Sequence, residues 1–288
     1  MKTKRFAVLA AVLLIPFTLM FSSCSSLSGS QIASIIFKSA PSIMKALEDI
    51  TPEQEYYIGR AVAANILEMY NIYDKDWNLV LYLNRICRTI TENSDRPEIY
   101  NGYHLAILDT DEINAFATSG GHIFVTRGLI ANAPSEDALA GVIAHEVAHI
   151  QLQHGLKAIK NARASQALIQ TGSAVASETM NLGDLTDTFT QSIGDIVNTM
   201  VVSGYSRTQE FEADNKALSL MAAAGYDPNG LLLMLQTLQK NYNPSSGGFG
   251  KTHPSPTDRI ANVQKSIGNY KVEDTTSYRQ ARYNAFVK

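Results

Sequence analysis

His145-Glu146-Val147-Ala148-His149 places two histidines four residues apart, with a carboxylate directly after the first. On a helix, residues i and i+4 share a face about one turn apart. Both imidazoles can therefore turn toward one point and hold a tetrahedral metal ion, with zinc, one per chain, the expected cofactor. Zinc lowers the pKa of a water molecule, and Glu146 stands where it can take that water's proton, which is the chemistry of metal-assisted hydrolysis of a peptide carbonyl. By composition alone such a pentapeptide arises in roughly one chain in a hundred of this length, so its surroundings have to decide. Val142, Ile143, Val147 and Leu152 make the segment otherwise apolar, and an uncompensated His-Glu-His cluster buried there would be costly. The competing reading is a set of surface or internally satisfied side chains.

A catalytic zinc takes three protein ligands and keeps one position open. The candidate for the third lies in Ser206-Arg207-Thr208-Gln209-Glu210-Phe211-Glu212-Ala213-Asp214. Glu210 and Asp214 share a helix face, and Glu212 points roughly opposite. Glu210 can ligate the metal while Asp214 accepts the outer N–H of a ligand histidine, His145 being the expected one. A solvated acidic face has the same spacing; beside the histidine motif the ligand reading is preferred. His154, five residues after His149, should face about 140° away from it on a continuous helix and reads as a structural residue or as an outer partner of the metal ligands.

The elements that must position these groups read mainly as helices. Thr51-Pro52-Glu53 is a helix start, with a Thr cap and Pro at the first position, and the helix should run to about Tyr70. A second helix is expected over Asp76 to Thr91, with Leu79, Leu83 and Ile86 on one face. Strands are expected over Tyr103 to Leu108 and Gly121 to Thr126, with Gly120-Gly121 as a bend. Ser135 should cap a long helix reaching about Lys160, followed by helices over Ser203 to Ala224 and from Asp227-Pro228 through Leu238. Residues 161–203 are rich in small residues and interrupted by Gly172, Gly183 and Gly194, and Asn243 to Gly250 reads as a flexible loop. The segment after Ile260 reads as mixed and polar, with no evident site.

The 288 residues are 45% hydrophobic and 18% charged, a globular composition. A net charge of −3 without a long basic run argues against a nucleic-acid partner. Lys2, Lys4 and Arg5 precede an apolar run from Phe6 to Phe21, and Phe21-Ser22-Ser23-Cys24 follows, the pattern of a secretory leader. It resembles the bacterial lipobox, which implies removal of residues 1–23 and acylation of Cys24; an uncleaved anchor or an ordinary secretory signal is the alternative. By the same resemblance, Ser25 in place of Asp favours the outer membrane. Cys87 would then have no intrachain partner and reads as a core residue. Beyond the leader no run of about 20 apolar residues is present. The expected organisation is a leader over 1–23, a tether and N-terminal helix over 24–50, a catalytic domain over 51–265 and a tail over 266–288.

Taken together, Asn114-Ala115-Phe116-Ala117, Gly120-Gly121, the histidine motif, Ser206-Arg207 with Glu210 and Ala213-Asp214, and His253-Pro254 with Arg259 resemble one family. It is the metallopeptidase family of the HtpX heat-shock proteases and the CAAX prenyl protease of the first type, especially its exported bacterial lipoprotein branch. The likeness extends from about Thr51 to Ile260. It implies an α+β, mostly helical, gluzincin-type fold with a small sheet beside the metal helix. It further implies that Asn114 contacts substrate backbone and that the strand Gly121 to Val125, Ile123 included, is the cleft edge to which an extended peptide adds. His253 and Arg259 would stabilise the oxyanion, or His253 would occupy the open metal position and silence the enzyme. The resemblance also implies unfolded or misassembled envelope proteins as substrates, on the periplasmic side of a lipid-anchored chain. A chaperone or assembly factor with a secondary peptidase site is the rival reading.

Overall fold

The computed structural model describes residues 50–157, 194, 196–200, 204–240, 248–253 and 256–287, all within one compact unit. The leader, Cys24, the tether and most of 161–203 lie outside the described residues. The fold is mostly helical with one small sheet, as expected.

Helix α1 spans Pro52–Met69 and α2 Trp77–Glu92. Strands β1 (His104–Leu108), β2 (Ala115–Ala117) and β3 (His122–Thr126) follow. Then come α3 (Arg127–Asn132), α4 (Glu136–Gln151), α5 (Arg207–Ala223), α6 (Asn229–Lys240), α7 (Phe249–Thr252), α8 (Pro256–Ser266) and α9 (Thr276–Phe286). The caps explain the starts. Thr51 and Gln54, and again Ser206 and Gln209, form reciprocal capping boxes that satisfy amides with no partner inside their helices. Ser135 accepts from the Ala138 amide at the head of α4.

The sheet order is β1-β3-β2, β1 parallel and β2 antiparallel to β3. The strand from Gly121 to Val125, expected at the cleft edge, is therefore the central strand. β1 and β2 already take its two hydrogen-bonding sides, and Ile123 is wholly buried. The two edges belong to β1 and to β2, a strand that the sequence pattern does not separate from its motif. Gly120 and Gly121 do form the bend, both at positive φ. Alternate residues divide the sheet between two cores. Leu105, Ile107, Ala115, Ala117, Ile123 and Val125 pack with α2, α4 and α6, while Leu108, Phe116 and Phe124 pack with α1.

α4 is the axis of the unit. Every residue from Glu136 to Ile150 is buried, because α5, α6, α2, α9 and the sheet all pack on it. It ends at Gln151, earlier than expected, since Gln153 takes φ 56° and interrupts the helix before a further turn over 154–157. The segment after Ile260 is not a featureless tail. Arg279 Nε lies 2.7 Å from Asp137 Oδ1, Arg282 pairs with Glu136, and the Phe286 ring stacks on Tyr82 at 4.7 Å. α9 thereby holds the N-terminal turn of α4.

The α4–α6 contact is close because both helices offer glycine. A Cβ on Gly230 would fall 2.4 Å from the Asp137 carbonyl, and one on Gly141 would fall 2.9 Å from Leu231 Cα. Gly230→Ala should therefore lower the free energy of urea unfolding by about 1–3 kcal/mol, the usual cost of overpacking. Gly268→Ala, with nothing within 4 Å, should stay within about 0.5 kcal/mol of wild type. Equal stability of both variants would contradict the packing described.

Candidate metal centre

α4 presents His145 and His149 on one face, and α5 crosses it with Glu210 and Asp214. Ala213 and Ala217, both fully buried, keep the interhelical distance short. The loop after α7 adds His253. One donor atom each from His145, His149, Glu210 and His253 falls within 4.8 Å of the others, and all four residues are buried. His145 Nε2 lies 3.1 Å from His149 Nε2, 3.3 Å from His253 Nδ1 and 3.5 Å from Glu210 Oε2. Glu210 Oε1 lies 3.6 Å from His149 Nε2 and 3.1 Å from His253 Nδ1. A tetrahedral ion with bonds of about 2.0–2.1 Å needs donor separations of about 3.3–3.4 Å, so the arrangement fits a single metal ion.

The charge balance points the same way. Glu146, Glu210 and Asp214 are buried carboxylates, and among the described residues Arg259 is the one guanidinium paired with them. Two negative charges are left over, which a divalent cation would match. Glu146 Oε1 is buried without a hydrogen-bond partner; His253 Nε2 stands 3.5 Å away, outside hydrogen-bond alignment.

Titration follows these contacts. Burial and the Arg259 charge push the His145 imidazole down, yet hydrogen bonds to Asp214 and Glu210 reverse this and lift it to about 9. In an ion-free centre that proton supplies one of the two missing positive charges. Burial, reinforced by His145, holds His149 well below its usual value. Burial raises the Glu146 carboxyl despite the nearby His253 and His145. For Glu210 burial acts upward, but the charges of His253 and Arg259 outweigh it and keep the carboxylate ionised. Asp214 is lowered likewise, against burial, by Arg259.

Asp214 Oδ1 is 3.0 Å from His145 Nδ1, the contact expected of it. Arg259, 1% exposed, has its guanidinium occupied by Asp214 at 2.9 and 2.6 Å and faces Glu210 Oε2 at 3.1 Å. Asn114 sits at the start of edge strand β2, its amide nitrogen on Glu112 Oε1 and its Oδ1 accepting from Thr252 Oγ1. Gly121 lies on the far side of the sheet bend, against Gly102 and Ile99. His154 does not face away: the interruption at Gln153 turns it back, and its Nδ1 meets His149 Nδ1 at 2.9 Å. Three contributors were not anticipated. The Tyr205 ring stacks on His149 at 4.1 Å, Phe249 stacks on His253 at 4.3 Å, and Glu212 reaches His154. Tyr205 could have been noticed only as an aromatic residue just before the Ser206 cap.

The sequence pattern of Peptidase family M48 matches residues 80–267. The chain belongs to that family. It is a metalloprotease, and membership implies a metal ion for the donor set just described. Similar proteins include the mitochondrial metalloendopeptidase OMA1 of Schizosaccharomyces pombe, 29% identical over 203 residues, 68% of this chain and 56% of that protein. The beta-barrel assembly-enhancing protease of Escherichia coli is 26% identical over 194 residues, 65% of this chain and 38% of that protein. Metalloprotease YcaL of the same organism is 27% identical over 162 residues, 56% of this chain and 61% of YcaL. The chain thus spans less than two thirds of the relatives it matches. Among the described residues of this M48 protein no helix is long and apolar enough to cross a membrane.

Arg259 compensates two buried acids at once, and removing one partner of such a set leaves uncompensated charge. Arg259→Met should therefore destabilise the metal-free protein by about 3–5 kcal/mol in denaturant unfolding. A loss under about 1 kcal/mol would show that the guanidinium does not hold the carboxylates.

Proposed function

We propose that this protein is a zinc-dependent endopeptidase of the bacterial cell envelope, acting on misfolded or unassembled envelope proteins. The observation that carries the reading is the convergence of His145, His149 and Glu210 from two helices onto one point, with the unpartnered oxygen of Glu146 beside it. In this reading His145, His149 and Glu210 hold the metal, and Asp214 orients His145. When bound, the ion supplies Lewis acidity, polarising a peptide carbonyl and acidifying water. Glu146 Oε1 accepts the proton of the attacking water and delivers it to the leaving amine nitrogen, a role its raised pKa suits. Asn114 and the outer side of β2 receive substrate backbone. Arg259 keeps the Glu210 and Asp214 carboxylates in place, and its Nη1, buried without a hydrogen-bond partner, is left to meet the oxyanion.

His253 is the fourth donor of a resting enzyme. Its Nδ1 stands 3.1 Å from Glu210 Oε1 and 3.3 Å from His145 Nε2, where a substrate carbonyl would otherwise enter. The imidazole has to swing away before catalysis, so the protein at rest is self-inhibited.

The envelope assignment is supported by the leader-like N-terminus with Cys24, read as a lipid anchor, outer membrane favoured. Similarity to a protease named for enhancing beta-barrel assembly is in keeping with it. The peptidase domain is assigned to 51–265, with 266–288 as its C-terminal extension.

Casein degradation by the purified chain should stop with a chelator and return with zinc. Glu146→Gln should lower turnover about 10²–10⁴-fold while its zinc content stays at wild type. Unchanged turnover, or persistent degradation in chelator, would contradict the peptidase reading; casein binding without cleavage by the wild type would favour a chaperone. His253→Ala should cleave casein as fast as wild type or faster. A loss of about 10²–10³-fold would instead make His253 an oxyanion donor.

A further inference from the structure

α5 carries three carboxylates within five residues, Glu210, Glu212 and Asp214, and Glu212 alone stands off the donor cluster. Its side chain is 46% exposed. Even so, Glu212 Oε2 accepts a hydrogen bond of 3.1 Å from His154 Nε2, and the fully buried His154 meets His149 with Nδ1 to Nδ1 at 2.9 Å. The ends of this chain dictate its direction. An ionised carboxylate only accepts, so the hydrogen sits on His154 Nε2. A neutral imidazole then has its lone pair on Nδ1, which accepts from His149 Nδ1–H. That leaves the His149 lone pair on Nε2, the nitrogen 3.1 Å from His145 Nε2 and 3.6 Å from Glu210 Oε1. The opposite tautomer would carry hydrogen on Nε2 and could not ligate a metal.

We propose that Glu212, acting through His154, is a positioning residue for His149, fixing the tautomer and ring direction in which that histidine holds the metal. The inference rests on the metal-site reading above. Asp214 performs the same service for His145 directly, so both histidines of α4 take their orientation from acids of one helix. Such outer partners typically change metal affinity 10–100-fold. The competing role for Glu212 is a solvated pair with Lys157, 3.5 Å away and half exposed, which would leave metal binding untouched.

Zinc affinity of the metal-stripped full chain, measured by competition with a chromophoric chelator, separates the two roles. Glu212→Ala, a surface change, should weaken zinc binding about 10-fold. Glu212→Gln, which retains an acceptor oxygen for His154, should recover most of the loss. His154→Leu should weaken binding about 10–100-fold, and adding Glu212→Ala to it should cost nothing further. Wild-type affinity in Glu212→Ala, or additive losses in the double variant, would overturn the relay. Glu210→Ala keeps the two readings apart. Undiminished zinc binding there would sink the metal site itself, whereas zinc lost in Glu210→Ala but retained in Glu212→Ala would sink the relay alone.

Discussion

The junction of α4 and α5 buries Glu146, Glu210, Asp214, Arg259 and four imidazoles away from water. Removing each ionised group from water costs several kcal/mol unless it is paired, and here the acids outnumber the guanidinium three to one. A divalent cation resolves the imbalance, and without one the proton held by His145 does so in part. Most other features of the fold can be understood as keeping these groups together. Their mutual contacts are favourable only while the donors stay within about 3–4 Å of one another and solvent stays out.

That demand explains why α4 is enclosed on all sides. A helix buried along its whole length cannot pivot, so the direction of its two histidines is set by neighbours rather than by solvent. α6 approaches through Gly141 and Gly230, α9 anchors the first turn through Arg279 and Arg282, and α5 comes close over Ala213 and Ala217. Residues of α7 and of the segment before α5 complete the centre. Phe249 and Tyr205 lay aromatic rings on His253 and His149, and Thr252 covers Asn114. α4 and α5 carry three of the donors, and the fourth, His253, comes from the residue that ends α7.

Much of the centre was legible in the sequence because it depends on helical periodicity. The i, i+4 spacing of His145 and His149, and of Glu210 and Asp214, survives folding unchanged, and so do the caps at Thr51, Ser135 and Ser206. What escaped depends on interruptions and strand pairing. His154 reaches His149 only because Gln153 breaks the helix, an event with no glycine or proline to announce it. β2 is three residues long, and its place at a sheet edge follows from pairing order, which no local pattern encodes; the sequence pattern therefore points to the strand after Gly121 instead. α9 was hidden because its arginines and aromatics make sense only against Glu136, Asp137 and Tyr82, far away in the chain.

If the site works as proposed, one ion is shared by two imidazoles and a carboxylate from crossing helices. Anomalous diffraction at the zinc absorption edge, from crystals of the metal-loaded protein, tests it most directly. A single strong peak is expected about 2.0–2.2 Å from His145 Nε2, His149 Nε2 and a Glu210 oxygen. A peak that excludes Glu210, or none between the two helices, would contradict it.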